Sequence, residues 1–523
     1  MRTPYATPIV ENPSPTAAQL AAYTHVVLKT PADALDFDWT ALTPGSLIEL
    51  CWNPDPYRIK VTLDTHGTRE KQLILRGLPG PEGQRPIIDG DGARQMNKVP
   101  GLEQNCLVGI HGDWITVEGL EIRNANGHHS YTDLEGGKHI FNGGARAIFF
   151  DAGSHVTIRN NDLHHCGNGL FSYAPTFDML VEYNYIHENG VPSTEAKFDF
   201  TTKQRSMLDH NSYCATVRTT YQFNHYGPLL HDAWGYNLKD RGSGTVIRYN
   251  VIHGGRRPIS LDDGQDDVEL ITKQPDYNDT YVFGNVLIKR KDADNLRLWG
   301  DDEIIHFGGD DKSWMYRSGT LFFYHNTVVT YRKAGMCPMT PFYGTTAPDV
   351  PREERTTLFY LPGHRAEDGV ELSCGSVDAR NNIVVAMSDG SYDAAPIALM
   401  GFSGALRKGE KECLFQQNLV YSPGGWATTL DRDTTCEPGR EAALFGVGEK
   451  AAVDNTPTAI GDNTYAPAEL DPQTLRPTPN TPLPAPAPLH PICQANQWLQ
   501  ITREPLGGFR KDNAVGAYPV QGI

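Results

Sequence analysis

Between Lys203 and Asp267 the chain gathers its densest set of reactive side chains, in "TTKQRSMLDHNSY" and then "FNHYGPLLHDAWGYNLKDRGSGTVIRYNVIHGGRRPISLDDGQDD". Four cations stand out: Lys239, Arg241, Arg256 and Arg257. His225, His231, Trp234 and Tyr236 precede them, and Asp232, Asp262 and Asp263 supply carboxylates. Such a set suits β-elimination from a uronic acid. The proton α to a carboxylate is a weak acid until the carboxylate charge is neutralised by an Arg or a metal ion, after which Lys, His or Tyr acts as base. Lys239 is the expected base, with its pKa lowered by neighbouring cations such as Arg241, Arg256 and Arg257. His231 and Tyr236 complete the site and replace Lys239 if it is structural. Arg241, Arg256, His225 and Trp234 are expected to hold substrate.

The acidic run "LDDGQDD" supports a different chemistry. Paired carboxylates at Asp262, Asp263, Asp266 and Asp267 suit glycoside hydrolysis, with one as acid and one as base or nucleophile. A solvated acidic turn or a calcium site accounts for the same run, since calcium takes six to eight hard oxygen donors. A structural reading also stands beside Lys239 and Arg241: cations flanking a turn pair with Asp232 and Asp240 to order it. For His164 and His165 in "LHHCGNG" no partner is visible at ligand spacing, so they read as structural. Tyr221, Tyr226, Trp299 and Trp314 join Trp234 and Tyr236 as rings able to stack on sugar faces.

What must position these residues is a recurring phrase of β-formers around Asn. It appears at Asn161, Asn184, Asn250, Asn285, Asn326 and Asn382, and around Gly119 with Gly in the Asn slot. Asn161 and Asn184 are 23 residues apart, and the 66 residues from Asn184 to Asn250 suggest three coils of about 22. A coil of that length holds three short strands and three turns. Asn suits its bends and can bond its neighbour on the next coil. The expected fold is all-β, a single-domain right-handed parallel β-helix (solenoid).

The repeat resembles the pectate-lyase-like β-helix proteins over roughly Val26 to Ser422. "HDAWGYNLKDR" resembles, more loosely, the calcium-assisted lyases of the chondroitinase B and alginate lyase type. That resemblance implies Lys239 as base and Arg257, 18 residues on, as acid or carboxylate clamp. It also implies calcium held by Asp232, with Asp262 or Asp263 as further ligands.

Residues 1–23 are expected to form an N-terminal arm or cap, residues 24–422 the β-helix, and residues 423–523 an irregular Pro-rich tail packed on it. Polar insertions are expected after Asn126 and over residues 332–369, where long loops serve function. The net charge of −17 argues against nucleic acid and anionic membranes as partners. Nine cysteines exclude a full disulfide framework, although a bridge among Cys413, Cys436 and Cys493 is conceivable. No apolar run is long enough to span a membrane. No signal peptide is visible, yet an extracellular or periplasmic address is expected. The leading reading is a lyase acting on an acidic polysaccharide. Its rivals are a tailspike-like glycoside hydrolase, an epimerase and a non-catalytic glycan-binding solenoid.

Overall fold

The computed structural model describes residues 9–99, 105–191, 209–231, 233, 235–291, 303–309, 313–333, 356–362, 375–387, 392–393, 397–403, 413–421, 458–460, 462–505, 510 and 515–518. The chain divides into two compact units. One comprises Ile9–Thr245 with Asp266–Gln274, the other Met1–Pro8, Val246–Gln265 and Pro275–Ile523. Each is a parallel β-helix.

In the first unit the coils from Ile59 onward contribute strands to three parallel stacks. One stack runs through Leu73–Leu78, Ile115–Glu118, the second half of Arg146–Arg159, Thr176–Glu182 and Val217–Gln222. A second runs through Ile87–Asp89, Glu121–Arg123, Asp162–His164, Tyr185–His187 and His225–Tyr226. The third contains Ile59–His66, Cys106–Asp113, the first half of Arg146–Arg159, Asn168–Ser172, Ser212–Cys214 and Leu238–Asp240. Alternate residues turn inward, as the pleat requires. Val117, Ile158, Val181 and Tyr221 form one inner column, and Ile122, Leu163, Ile186 and Tyr226 another, all fully buried. Tyr221 and Tyr226 are therefore core residues and no sugar platform.

The second unit repeats the plan. Val246–Arg248, Thr280–Phe283, Thr320–Tyr324, Ser376–Arg380, Cys413–Gln416 and Thr458–Ile460 stack in parallel. The segment read from sequence as one insertion at 332–369 contains the strand Thr356–Pro362, which pairs with Glu303–Phe307 as an ordinary coil wall. Near the C-terminus, Tyr324 and Arg248 bond the carbonyls of Leu499 and Trp498. Cys493 is a free, buried thiol.

The corners explain the recurring Asn. In the first unit Asn161 N–H donates to Asn184 Oδ1 (2.9 Å) and Asn184 N–H to Asn224 Oδ1 (3.0 Å). In the second the same bond links Asn250, Asn285, Asn326, Asn382, Asn418 and Asn463 in order, each at 2.9–3.0 Å. The rung at Asn463 lies past Ser422, where the sequence pattern fades. Asn224, 40 residues after Asn184, shows that coils here are unequal rather than three of about 22. The left-handed residue is the one before the ladder Asn: Asn160, Tyr183 and Phe223 in one unit, Tyr249, His325, Asn381 and Gln417 in the other. Gly119, at φ 74°, holds that position, so it aligns with Asn160 and not with Asn161. Leu120 N–H makes the bond to Asn161 Oδ1.

Candidate active site

The third stack of the first unit carries the chemistry. Phe149, Phe171, Tyr213 and Lys239 are register partners on successive coils. They point away from the buried column of Ile148, Leu170, Ser212 and Leu238. The Phe171 and Tyr213 rings stack at 4.7 Å with 2° between planes. Lys239 Nζ lies 5.3 Å from the ring centroids of both Tyr213 and Tyr236. The Arg241 guanidinium is 6.0 Å from Tyr213, and that of Arg146 is 4.4 Å from Phe171 and 5.1 Å from Phe149. Three cations thus lie over aromatic faces on one wall, each contact worth about 0.5–2 kcal/mol. Lys239 is only 6 % exposed, so its charge is largely withdrawn from water.

A second Asn ladder sets this wall. Asn189 Nδ2 donates to Asn211 Oδ1 (2.9 Å) and Asn211 Nδ2 to Asn237 Oδ1 (2.5 Å). Asn211 and Asn237 immediately precede the strands bearing Tyr213 and Lys239. Asp240 alternates inward from Lys239 and accepts from Tyr221 Oη (2.9 Å), Thr245 Oγ1 (2.8 Å) and Gly242 N (3.0 Å), fixing the turn into Arg241. Gly235 allows the chain before Tyr236 to press on the Asp209 carbonyl, because a Cβ there would fall 1.6 Å from that oxygen.

His210 supports Tyr236. Its Nδ1 accepts the Tyr236 N–H at 2.8 Å, so the neutral ring carries its proton on Nε2, and the two rings stack at 5.2 Å. Asn168 secures the preceding residues: its Oδ1 accepts His210 N–H (2.8 Å) and its Nδ2 donates to Asp209 Oδ1 (3.3 Å). Asp209 Oδ2 is buried without a hydrogen-bond partner among the described residues. Burial pushes its carboxyl up to about 7, against the opposing effects of Asn168 and the Arg146 charge.

The residues expected from sequence divide. Lys239, Arg241 and Tyr236 meet on this wall. His225 belongs to the second stack, where it stacks on Tyr185 at 4.8 Å, and burial holds its pKa below the usual value. His231 is exposed. Asp232, Trp234 and Trp299 lie outside the described residues. Arg256, Arg257, Asp262 and Asp263 belong to the second unit. There Arg257 Nε bonds Glu303 Oε2 at 3.1 Å with both side chains nearly buried, and the Arg256 carbonyl accepts from Lys289 Nζ. Asp262 and Asp263 follow the strand Ile259–Leu261 rather than lying on it, and both are fully buried rather than solvated. Asp262 Oδ1 accepts from Ser260 Oγ (2.8 Å) and Asp263 Oδ1 from Arg317 N–H (3.0 Å).

Sequence reasoning missed Arg146, Asp209, His210 and Tyr213 as members of this site. The last three lie inside "TTKQRSMLDHNSY", already part of the reactive cluster, and Arg146 directly follows the polar insertion after Asn126.

No protein-family model and no curated protein matches this sequence. Among solved structures the chain is similar to an alginate lyase from Paenibacillus sp. str. FPU-7, at 11 % identity and TM-score 0.37, over 73 % of this chain and 98 % of that one. It is similar to a PL6-family polysaccharide lyase from Pseudopedobacter saltans, at 10 % identity and TM-score 0.38, over 94 % and 99 %. A pectate lyase follows at 10 % identity and TM-score 0.34, over 73 % and 79 %. Among the described residues no helix is long and apolar enough to cross a membrane.

Proposed function

We propose that this protein is a carbohydrate-active enzyme that cleaves an acidic, uronate-containing polysaccharide by β-elimination on the wall bearing Lys239, acting outside the cell or in the periplasm. Lys239 removes the proton α to the carboxylate. Arg241 and Arg146 face that carboxylate and stabilise the charge that develops on it. The electron pair forms the new carbon–carbon double bond, the glycosidic carbon–oxygen bond breaks, and Tyr236, oriented by His210, gives the departing oxygen its proton. No step passes through calcium.

One observation carries this reading: three withdrawn cations packed over aromatic rings on a single face of a chain whose net charge is −17. Such a face selects anionic sugars, the charges for the carboxylates and the half-buried Tyr213 ring for a sugar C–H face, while the buried Phe149, Phe171 and Tyr236 rings back the cations. The test is digestion of a panel of polyuronates followed by ultraviolet absorbance of unsaturated uronate. Absorbance should rise with wild type and not with Lys239→Ala. A second reading, hydrolysis, is favoured by Asp209, whose carboxyl near 7 carries a proton to donate around neutrality. New reducing ends without that absorbance would establish it instead.

A further inference from the structure

The second stack of the first unit presents a different set of side chains. Asp162 and His164 alternate outward around the buried Leu163, and His187 stands beside His164 on the next coil. Among the described residues these three form the one set whose metal-ligating atoms all converge within 4.8 Å. We infer that Asp162, His164 and His187 bind a divalent transition-metal ion of the zinc type.

The hydrogen-bonding pattern points to a cation. His187 Nδ1 meets Glu188 Oε2 at 2.9 Å while its Nε2 meets Asp162 Oδ1 at 3.0 Å. An imidazolium would donate to both carboxylates at once, whereas a neutral imidazole has one N–H for the two. With the proton on Nδ1, held by Glu188, the Nε2 lone pair faces a carboxylate lone pair, and an ion between them turns repulsion into coordination. A carboxylate behind the ligating imidazole is the arrangement that orients metal-bound histidines. His164 is held differently: an imidazole, His165, lies behind it with Nδ1 to Nδ1 at 2.6 Å, and its Nε2 meets Glu121 Oε1 at 3.3 Å. The His164 and His187 rings stack at 5.0 Å and 18°, and Tyr185 packs on His187 at 3.8 Å, so neither ligand is free to swing. Arg123, the register partner of His164, is turned to Asp89 (3.0 Å) and Glu121 (2.8 Å).

Two imidazole nitrogens and one carboxylate oxygen suit zinc, cobalt or nickel and not calcium, which wants oxygen alone. Three such ligands, at the zinc bond lengths of about 2.0–2.1 Å, would leave a fourth position for water. Asp162, His164 and His187 side chains are 22 %, 13 % and 12 % exposed, which leaves the site a path to solvent.

The test uses the full-length protein stripped by a chelator, with zinc chloride titrated against a chromogenic competitor. Wild type should take up one ion with micromolar or tighter affinity, and cobalt should give the visible bands of a nitrogen–oxygen site. His164→Gln/His187→Gln should weaken that uptake at least about 100-fold, and Glu188→Gln about tenfold, with the metal-free circular dichroism unchanged. If the double variant does not fold, Asp162→Asn carries the same expectation with both imidazoles intact. Wild-type uptake equalled by these variants, or no uptake at about 100 µM zinc, overturns the inference.

Discussion

Two walls of one unit share a scaffold and differ in chemistry. On the third stack, the column of Phe149, Phe171, Tyr213 and Lys239 sets cations over rings. On the second, a column of Glu121, Asp162 and Tyr185 stands beside one of Arg123, His164 and His187. Both arise because parallel coils bring residues of equal register about 4.8 Å apart. The difference teaches that a β-helix fixes neighbourhood by column, and the side chain chosen at each coil then decides whether the column attracts an anion or a cation.

The comparison breaks most sharply at Lys239. Lys239→Ala should lower the rate of unsaturated product formation about 10²- to 10⁴-fold, the range for loss of a positioned base, as measured by initial rates on a polyuronate. If the rate holds, the first wall is not catalytic. Next is the ladder beneath it. Asn211→Ala strands bonds to Asn189 and Asn237 and should cost about 1–3 kcal/mol, read as a lowered midpoint in urea, with activity falling as the wall loosens.

Asp209 gives a pH signature to the first wall. Its folded pKa, about 7, lies above the ordinary 3.8, so its neutral form favours the fold. The stability it contributes is full below about pH 4 and is lost as pH rises towards and through 7. Asp209→Asn should flatten the fall in melting temperature across that window, and an unchanged profile would remove Asp209 from the argument. The smallest effect is the control: His164→Gln/His187→Gln should leave polyuronate cleavage within about twofold of wild type. A large loss would merge the two walls into one function.

Much of the fold was legible because the corner Asn recurs in a fixed phrase. The coil count was not, since loops of unequal length hide Asn224, and the second ladder was missed because residues 192–208 separate Asn189 from Asn211. Gly119 was set in the wrong slot because a Gly beside an Asn-type bend serves the left-handed residue rather than the bonding one. Lys239, Arg241 and Tyr236 were legible as one cluster through their closeness in sequence. Arg146, 93 residues from Lys239, could not be, because columns join residues that the chain separates by whole coils. The same rule took His225, fourteen residues from Lys239, to a different wall, and it is why His164 looked partnerless along the chain, with His187 one coil away.

The corner bond has one more consequence. Asn161 reaches Asn184 across 23 residues, and Asn326 reaches Asn382 across 56, yet both bonds measure 2.9 Å. The bend is indifferent to how much polypeptide hangs between its rungs. New loops can therefore be grafted at these breaks, and substrate preference altered, without the masonry behind them shifting.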